Sequence, residues 1–228
     1  MPLAGTVAIA IWNDIANEKR EQFFEWHPRE HVPERLGIPG FVRGRRFRAV
    51  GEGIEFLTLY ELEAKDVITA ESYKRRLATP TPWSLDVLPG FRNNLRGVCD
   101  VRINSGHVDG AFFLTRRFSP PPGAEAATQA RIEEWTTALL QLSQVCGVEL
   151  LICDQSMSST NTALQRGRTI TPPDWVLMVE AISLDGAQAA RRFMENQTAG
   201  FATDRVDETA IYQLEYHLSR LTVAPEVE

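Results

Sequence analysis

The chain has 228 residues, 43% hydrophobic and 24% charged, which is enough apolar material for a packed core and excludes a disordered chain. A formal net charge of −6 excludes nucleic acid and an anionic membrane as default partners, because both demand a concentrated positive field. The cysteines Cys99, Cys146 and Cys153 form no C-x-x-C pair and leave one odd, so neither a disulfide framework nor a zinc knuckle is expected. That usage, the absence of a basic n-region and an N-terminal apolar run too short to span a bilayer predict a cytoplasmic protein.

"GTVAIAIW" (Gly5 to Trp12) opens the chain as a strand, apolar and of strand length. "NEKREQFFEWHPREHVPERL" follows as an amphipathic helix, which Pro28 is expected to kink or restart. "GIPGF" reads as a turn, and "FVRGRRFRAV" and "EFLTLYELE" as strands joined through "GEG" (Gly51 to Gly53). A helix lies around "TAESYKRRL". "LPGFRNNLRG" (Leu88 to Gly97) then reads as a connection into the strand "LRGVCDVRI" (Leu95 to Ile103).

The same order recurs from Gly110. "GAFFLTRRF" is a strand and "AEAATQARIEEWTTALLQLSQV" a helix free of internal Gly and Pro. "GVELLICDQS" and "DWVLMVEAISL" are strands, "DGAQAARRFMENQ" is a helix with Asp185 as N-cap, and "TAIYQLEYHLSRL" is the closing strand. Each half is therefore a β-α-β-β-α-β, ferredoxin-like unit: 1–104 and 105–228, with "NSGHVDG" between them. Each sheet has one face without helices. The fold class expected is α+β, two such units in tandem whose antiparallel sheets pack together as an intramolecular α+β barrel. A single chain then acts as a pseudo-dimer, either alone or as a homodimer.

The chemistry concentrates in "FFEWHPREHVPERLGIPGF" (Phe23 to Phe41). On an ideal helix His27 and His31 lie about 40° apart, on the arc that also carries Phe23, Phe24, Trp26 and Glu30. "HPREH" matches the H-x-x-E-H pattern of a zinc peptidase, but that chemistry needs a third ligand and a peptidase body, so no metal is expected. Histidines here also serve as plain structural residues, capping carbonyls or pairing with Glu30. Strand alternation puts Phe56, Thr58, Tyr60 and Leu62 on one face. Tyr60 then either presents its phenol to His31 or fills the barrel. Arg43, Arg45 and Arg46 offer guanidinium forks for a carboxylate or phenolate, with solvated edge positions as the alternative. Tyr73 lies on the second helix, and Trp83, in a Pro-rich turn, either lids the site or plugs the sheet end.

Trp26, Glu30, His31, Pro33, Pro39, Gly40 and Phe41, set between a strand ending "IWND" and a basic hairpin, resemble the W-x-x-x-H-x-P segment of EthD-like families in the dimeric α+β barrel superfamily, with four residues instead of three between Trp26 and His31. The resemblance covers about the first hundred residues, and the second half lacks both the histidine and the double proline. It implies a pocket between helices and sheet in the first half, with the second half closing the barrel. His31 matches the recurrent histidine and is the first choice as general acid or base, with His27 and Glu30 beside it. Trp26, Tyr60, Arg46, Tyr73 and Trp83 are the substrate-binding candidates. The reading is a small-molecule enzyme on an apolar or aromatic oxygenated metabolite, without cofactor. The alternatives are a non-catalytic ligand-binding or assembly module, and a haem protein with His27 or His31 as axial ligand, bound non-covalently since C-x-x-C-H is absent.

Overall fold

A computed structural model describes residues 3–158, 172–197 and 208–220. The first half runs β1 (Val7–Ile15), α1 (Arg20–Trp26), a π-helical turn (His27–His31), α2 (Val32–Leu36), β2 (Phe41–Ala49) and β3 (Phe56–Leu62). It continues through α3 (Glu71–Ala78), α4 (Pro82–Val87) and β4 (Phe91–Gly106). The second half runs β5 (Phe112–Phe118), α5 (Glu125–Leu140), β6 (Val145–Cys153), α6 (Gln155–Ser158), β7 (Trp175–Ala181), α7 (Leu184–Asn196) and β8 (Glu208–Ser219).

All eight strands form one closed antiparallel barrel in the order β1-β3-β2-β8-β5-β7-β6-β4. Within it, β4-β1-β3-β2 and β8-β5-β7-β6 are the two ferredoxin-like sheets, joined at the seams β2·β8 and β4·β6. Among the described residues, closure pairs every strand on both sides. The expected α+β barrel is therefore the observed one. No helix among the described residues is long and apolar enough to cross a membrane.

Alternation divides the side chains between two surfaces. Ala8, Ala10, Trp12, Phe47, Leu57, Leu59, Phe113, Leu151, Val176, Met178 and Tyr212, drawn from both halves, fill the barrel. Outside, α5 and α7 cover an apolar face with Ile132, Trp135, Leu139, Ala187 and Ala190. The helices of the first half instead cover a face that includes Thr58, Tyr60 and Arg46, beside Val32, Leu36 and Phe41. The basic strand β2 thus splits its arginines: Arg46 points out beneath the helices, and Arg43 and Arg45 point inward.

One end of the barrel interior is charged. Arg43 Nε donates to Glu61 Oε1 at 2.9 Å and its Nη1 to Asp109 at 2.7 Å. Arg45 meets Glu61 at 2.9 Å and Glu180 at 3.1 Å, tying β2 and β3 to β7 across the interior. Glu149, on β6, is fully buried, and neither of its carboxylate oxygens has a partner. Burial, then the charges of Glu180 and Glu61, push its pKa well above the usual carboxylate range. Burial raises Glu180 in the same direction, while Arg43 and Arg45 are engaged by Glu61, Asp109 and Glu180.

Several local expectations are corrected. β4 begins at Phe91, so most of "LPGFRNNLRG" is strand: it pairs with β1 from Ile15↔Phe91 onward. α4 occupies the Pro-rich segment taken as a turn, because Thr81 caps it by accepting from the Ser84 N–H at 3.0 Å and Pro82 takes the first helical position. α5 stops at Leu140, well short of Val145. Ser183, not Asp185, caps α7, its hydroxyl accepting from Gly186 N–H at 3.1 Å. Cys99 and Cys153, strand neighbours at the β4·β6 seam, are joined by a disulfide that no spacing in the sequence announced, since only the register brings them together. Leu221, at the end of the expected closing strand, lies outside the described residues.

Candidate functional site

The helix does not break at Pro28. It passes from α1 into a π turn and on into α2, and the Val32 N–H donates to the His27 carbonyl five residues back. Pro28 and Pro33 each lack an N–H, and the ordinary α ladder would need both as donors. Widening by one residue keeps the chain helical around both rings, the form such insertions take. The turn presents His27 and His31 on the sheet side, with ring centroids 5.4 Å apart.

Aromatic packing fixes this helix to the sheet. Phe23, Trp26 and Phe56 are fully buried together with Val87, and each such side chain contributes about 1.5–3 kcal/mol. Trp26 is positioned at both ends. Its indole N–H is shared by Glu30 Oε1 at 3.0 Å and Ser84 Oγ at 3.1 Å, and its ring stacks on His31 at 4.3 Å. Glu30 also accepts from Thr81 at 2.5 Å and Ser84 at 3.3 Å. Its carboxylate therefore ties the π turn to α4 and acts on His31 only through Trp26.

His27 is held on both ring nitrogens. Burial raises the Tyr216 pKa and keeps its phenol protonated, so it donates to His27 Nδ1. The Nε2–H then faces Thr58 Oγ1 at 3.4 Å. Burial, reinforced by the Arg46 charge, holds the His27 pKa well below its ordinary value. Tyr216 belongs to β8, so the second half supplies a residue of this site through the β2·β8 seam, where Arg46 and Tyr216 are register partners.

His31 is different. It is only partly exposed, and its buried Nδ1 has no hydrogen-bond partner. Burial, then Arg35 and His27, hold its pKa well below the ordinary histidine value, so the imidazole is neutral. Tyr60 stands 6.4 Å away, ring to ring, on the helix-covered face, and its phenol oxygen also lacks a partner. Burial drives the Tyr60 pKa far up. Gly44 makes room for this ring: a Cβ there would meet Val32 at 3.0 Å and Tyr60 at 3.2 Å.

Arg46 donates from Nε to Glu215 at 2.7 Å, lies 4.7 Å from the Tyr216 ring centre and 5.1 Å from that of Phe23, and leaves Nη1 unpartnered. Arg35, one helical turn after His31, also buries an unpartnered Nη1, and its charge acts on both His31 and Tyr60. Tyr73 sits at the periphery, buried against Phe41 and accepting from Arg96 at 3.1 Å. Trp83 packs half-buried on the aromatic cluster of Phe23 and Trp26. The structure thus brings together His27, His31, Trp26, Tyr60 and Arg46, and holds Glu30, Tyr73 and Trp83 at the margin.

Sequence reading missed Arg35 and Tyr216 as contributors. The i, i+4 spacing of His31 and Arg35 was the available signal for the first. An axial ligand for haem would have to come from His27 or His31. Both His27 nitrogens are engaged, and His31 is flanked by the rings of Trp26, His27 and Tyr60 at 4.3–6.4 Å, where an axial ligand needs an open plane. Among the described residues, no group of three or more His, Cys, Asp or Glu is placed to hold a metal ion.

No protein-family model matches the sequence, and no curated protein does either. Solved structures do match in shape. An anthrone oxidase-like protein aligns with TM-score 0.64 and 11% identity over 97% of this chain and 96% of its own. A candidate monooxygenase from Fusobacterium nucleatum aligns with TM-score 0.61 and 11% identity, covering 95% and 96%. A chlorite dismutase from Candidatus Nitrospira defluvii gives 0.56 and 10% identity, over 93% and 92%. At such identities the likeness supports the α+β barrel fold and nothing finer.

Proposed function

We propose that the protein is a small-molecule enzyme of the dimeric α+β barrel type, acting on an apolar or aromatic oxygenated metabolite by histidine acid–base chemistry without a resident cofactor. The observation that carries this reading is His31 Nδ1, a buried and unpartnered nitrogen on a neutral ring. A neutral imidazole with no internal partner is a base waiting for a proton donor, and leaving it so costs stability that a purely structural residue has no reason to forgo.

In the proposed reaction His31 removes an acidic proton from a conjugated substrate, and the negative charge delocalises onto a substrate oxygen. Tyr60, kept protonated by burial, offers its O–H to that oxygen. His27, satisfied by Tyr216 and Thr58, is a positioning residue that packs against His31. The names of two structural neighbours, an anthrone oxidase-like protein and a candidate monooxygenase, support the substrate class.

Anthrone is a suitable probe because its methylene is acidic and forms such an oxyanion. Anaerobic incubation in deuterium oxide, followed by proton NMR, reads proton abstraction directly, whatever reaction comes next. The protein is expected to accelerate the exchange, and His31→Ala to reduce it about 10²–10⁴-fold, with little change in thermal unfolding. Full exchange in that variant excludes His31 as the base. Equal destabilisation by His27→Ala and His31→Ala, with no ligand bound, favours the non-catalytic module instead.

A further inference from the structure

Apart from His31 Nδ1, the unpartnered atoms of this site share one chemical character: they are donors. Arg35 and Arg46 each bury an Nη1 with nothing to accept from it, and the Tyr60 hydroxyl is in the same position. The three residues are 7%, 4% and 2% exposed. A buried guanidinium N–H without an acceptor carries a desolvation cost, and Coulomb attraction in so dry a place is strong. The carboxylates close by are committed elsewhere. Glu30 serves Trp26, Thr81 and Ser84, Glu34 pairs with Arg76 at 3.1 Å, and Glu215 pairs with Arg46 Nε. The imidazoles are neutral. Among the described residues Glu215 is the carboxylate that pairs with Arg46, and Arg35 Nη1 has no acceptor.

From this we infer that the site binds its ligand as a monoanion, an aromatic phenolate or enolate whose oxygen lies between Arg35, Arg46 and the Tyr60 hydroxyl. The rings of Phe23, Phe24 and Phe56, which lie 5.1–5.8 Å from the Arg46 guanidinium carbon, provide the apolar wall for the ring of such a ligand. A carboxylate on a charged, strongly hydrated chain would meet that wall at a loss. The inference rests on the proposed function for the location of the site and adds the charge state in which the ligand is held there. In that state His31 receives the proton the ligand gives up, and the oxyanion stays beside the donors.

The test uses the full chain and two probes, 4-nitrophenol and its methyl ether 4-nitroanisole, which is similar in shape and cannot ionise. Absorbance titration is run at a pH below the phenol's solution pKa. Bound 4-nitrophenol is expected to show the phenolate band, and 4-nitroanisole to bind at least tenfold more weakly. Arg35→Gln and Arg46→Gln are each expected to weaken phenolate binding about tenfold or more, with Arg46→Lys recovering part of the loss. Far-UV circular dichroism checks that each variant is folded, and the comparison of the two probes on the unaltered chain needs no variant. Equal binding of both probes, a bound phenol that stays neutral, or no binding of 4-nitrophenol overturns the inference. The anthrone exchange assay reads His31 separately, so phenolate binding without His31-dependent exchange defeats the proposed function and leaves the anion site standing.

Discussion

Glu149→Gln isolates the charged end of the barrel. Glu149 faces Glu180 from β7, Glu61 from β3, and Arg45 and Arg43 from β2, and both of its oxygens are buried without a partner. Its pKa is raised in the folded state, so the folded protein holds a proton that the unfolded chain releases once pH rises above the ordinary carboxylate value. Stability is therefore fully present below that value and is lost as pH climbs toward the folded pKa. One proton corresponds to a slope of about 1.4 kcal/mol per pH unit. Glutamine keeps the shape and cannot ionise, so the part of this slope that belongs to Glu149 disappears, while Glu180, also raised by burial, titrates in both proteins. For a chain of this size about 1 kcal/mol moves the unfolding temperature by roughly 2–4 °C, so Glu149→Gln should gain on the wild type by roughly 3–5 °C per pH unit within that window. Thermal unfolding of both proteins from pH 5 to 9 measures it. Asp154 and Glu55, whose pKa values are lowered, affect both proteins alike and cancel in the difference. The intercept can move either way, because the amide has its own unmet hydrogen bonds. Parallel curves would refute the reasoning.

Four further outcomes follow from the site. Tyr216→Phe should cost about 1 kcal/mol in urea unfolding, the worth of one hydrogen bond across the β2·β8 seam. His27→Ala should cost more, because it also removes a buried ring packed 5.2 Å from Phe23. Gly44→Ala should destabilise by about 1–3 kcal/mol, since its Cβ presses on Val32 and Tyr60 and neither can retreat from a filled core. The acid limb of kcat/KM should fall below pH 6.5, because His31 must be neutral to act and its pKa is lowered, so activity is lost only on more acidic protonation. A limb above pH 7 would contradict that assignment.

Much of the barrel was legible because alternation and turn residues mark strands locally. The eight strands emerge in order, and the bare sheet faces demand each other. What alternation does not supply is absolute sidedness. Thr58 and Tyr60 share a face in the sequence, but only closure of the barrel shows that this face lies under the helices. The same ambiguity hid the split of Arg45 and Arg46 between interior and site. The histidine segment was visible by its composition, whereas its π turn depends on two prolines five residues apart acting together. Arg35 was readable from its spacing to His31 and was overlooked among ordinary helix-end charges. Tyr216 was not readable, since its contact depends on the register of two strands 169 positions apart, as the Arg46–Glu215 pair beside it shows. Glu30 lies next to His31 in sequence, yet its carboxylate turns to Trp26, Thr81 and Ser84, because adjacent helix residues point about 100° apart while Trp26 stands at the i, i+4 spacing.

His31 is the central residue of the site. Anaerobic deuterium exchange of anthrone, compared between the unaltered chain and His31→Ala of matched unfolding temperature, should fall about 10²–10⁴-fold to the solvent rate. Exchange that persists undiminished in His31→Ala would show that the buried, unpartnered nitrogen is not the base, and the site beneath the π turn would lose its central residue.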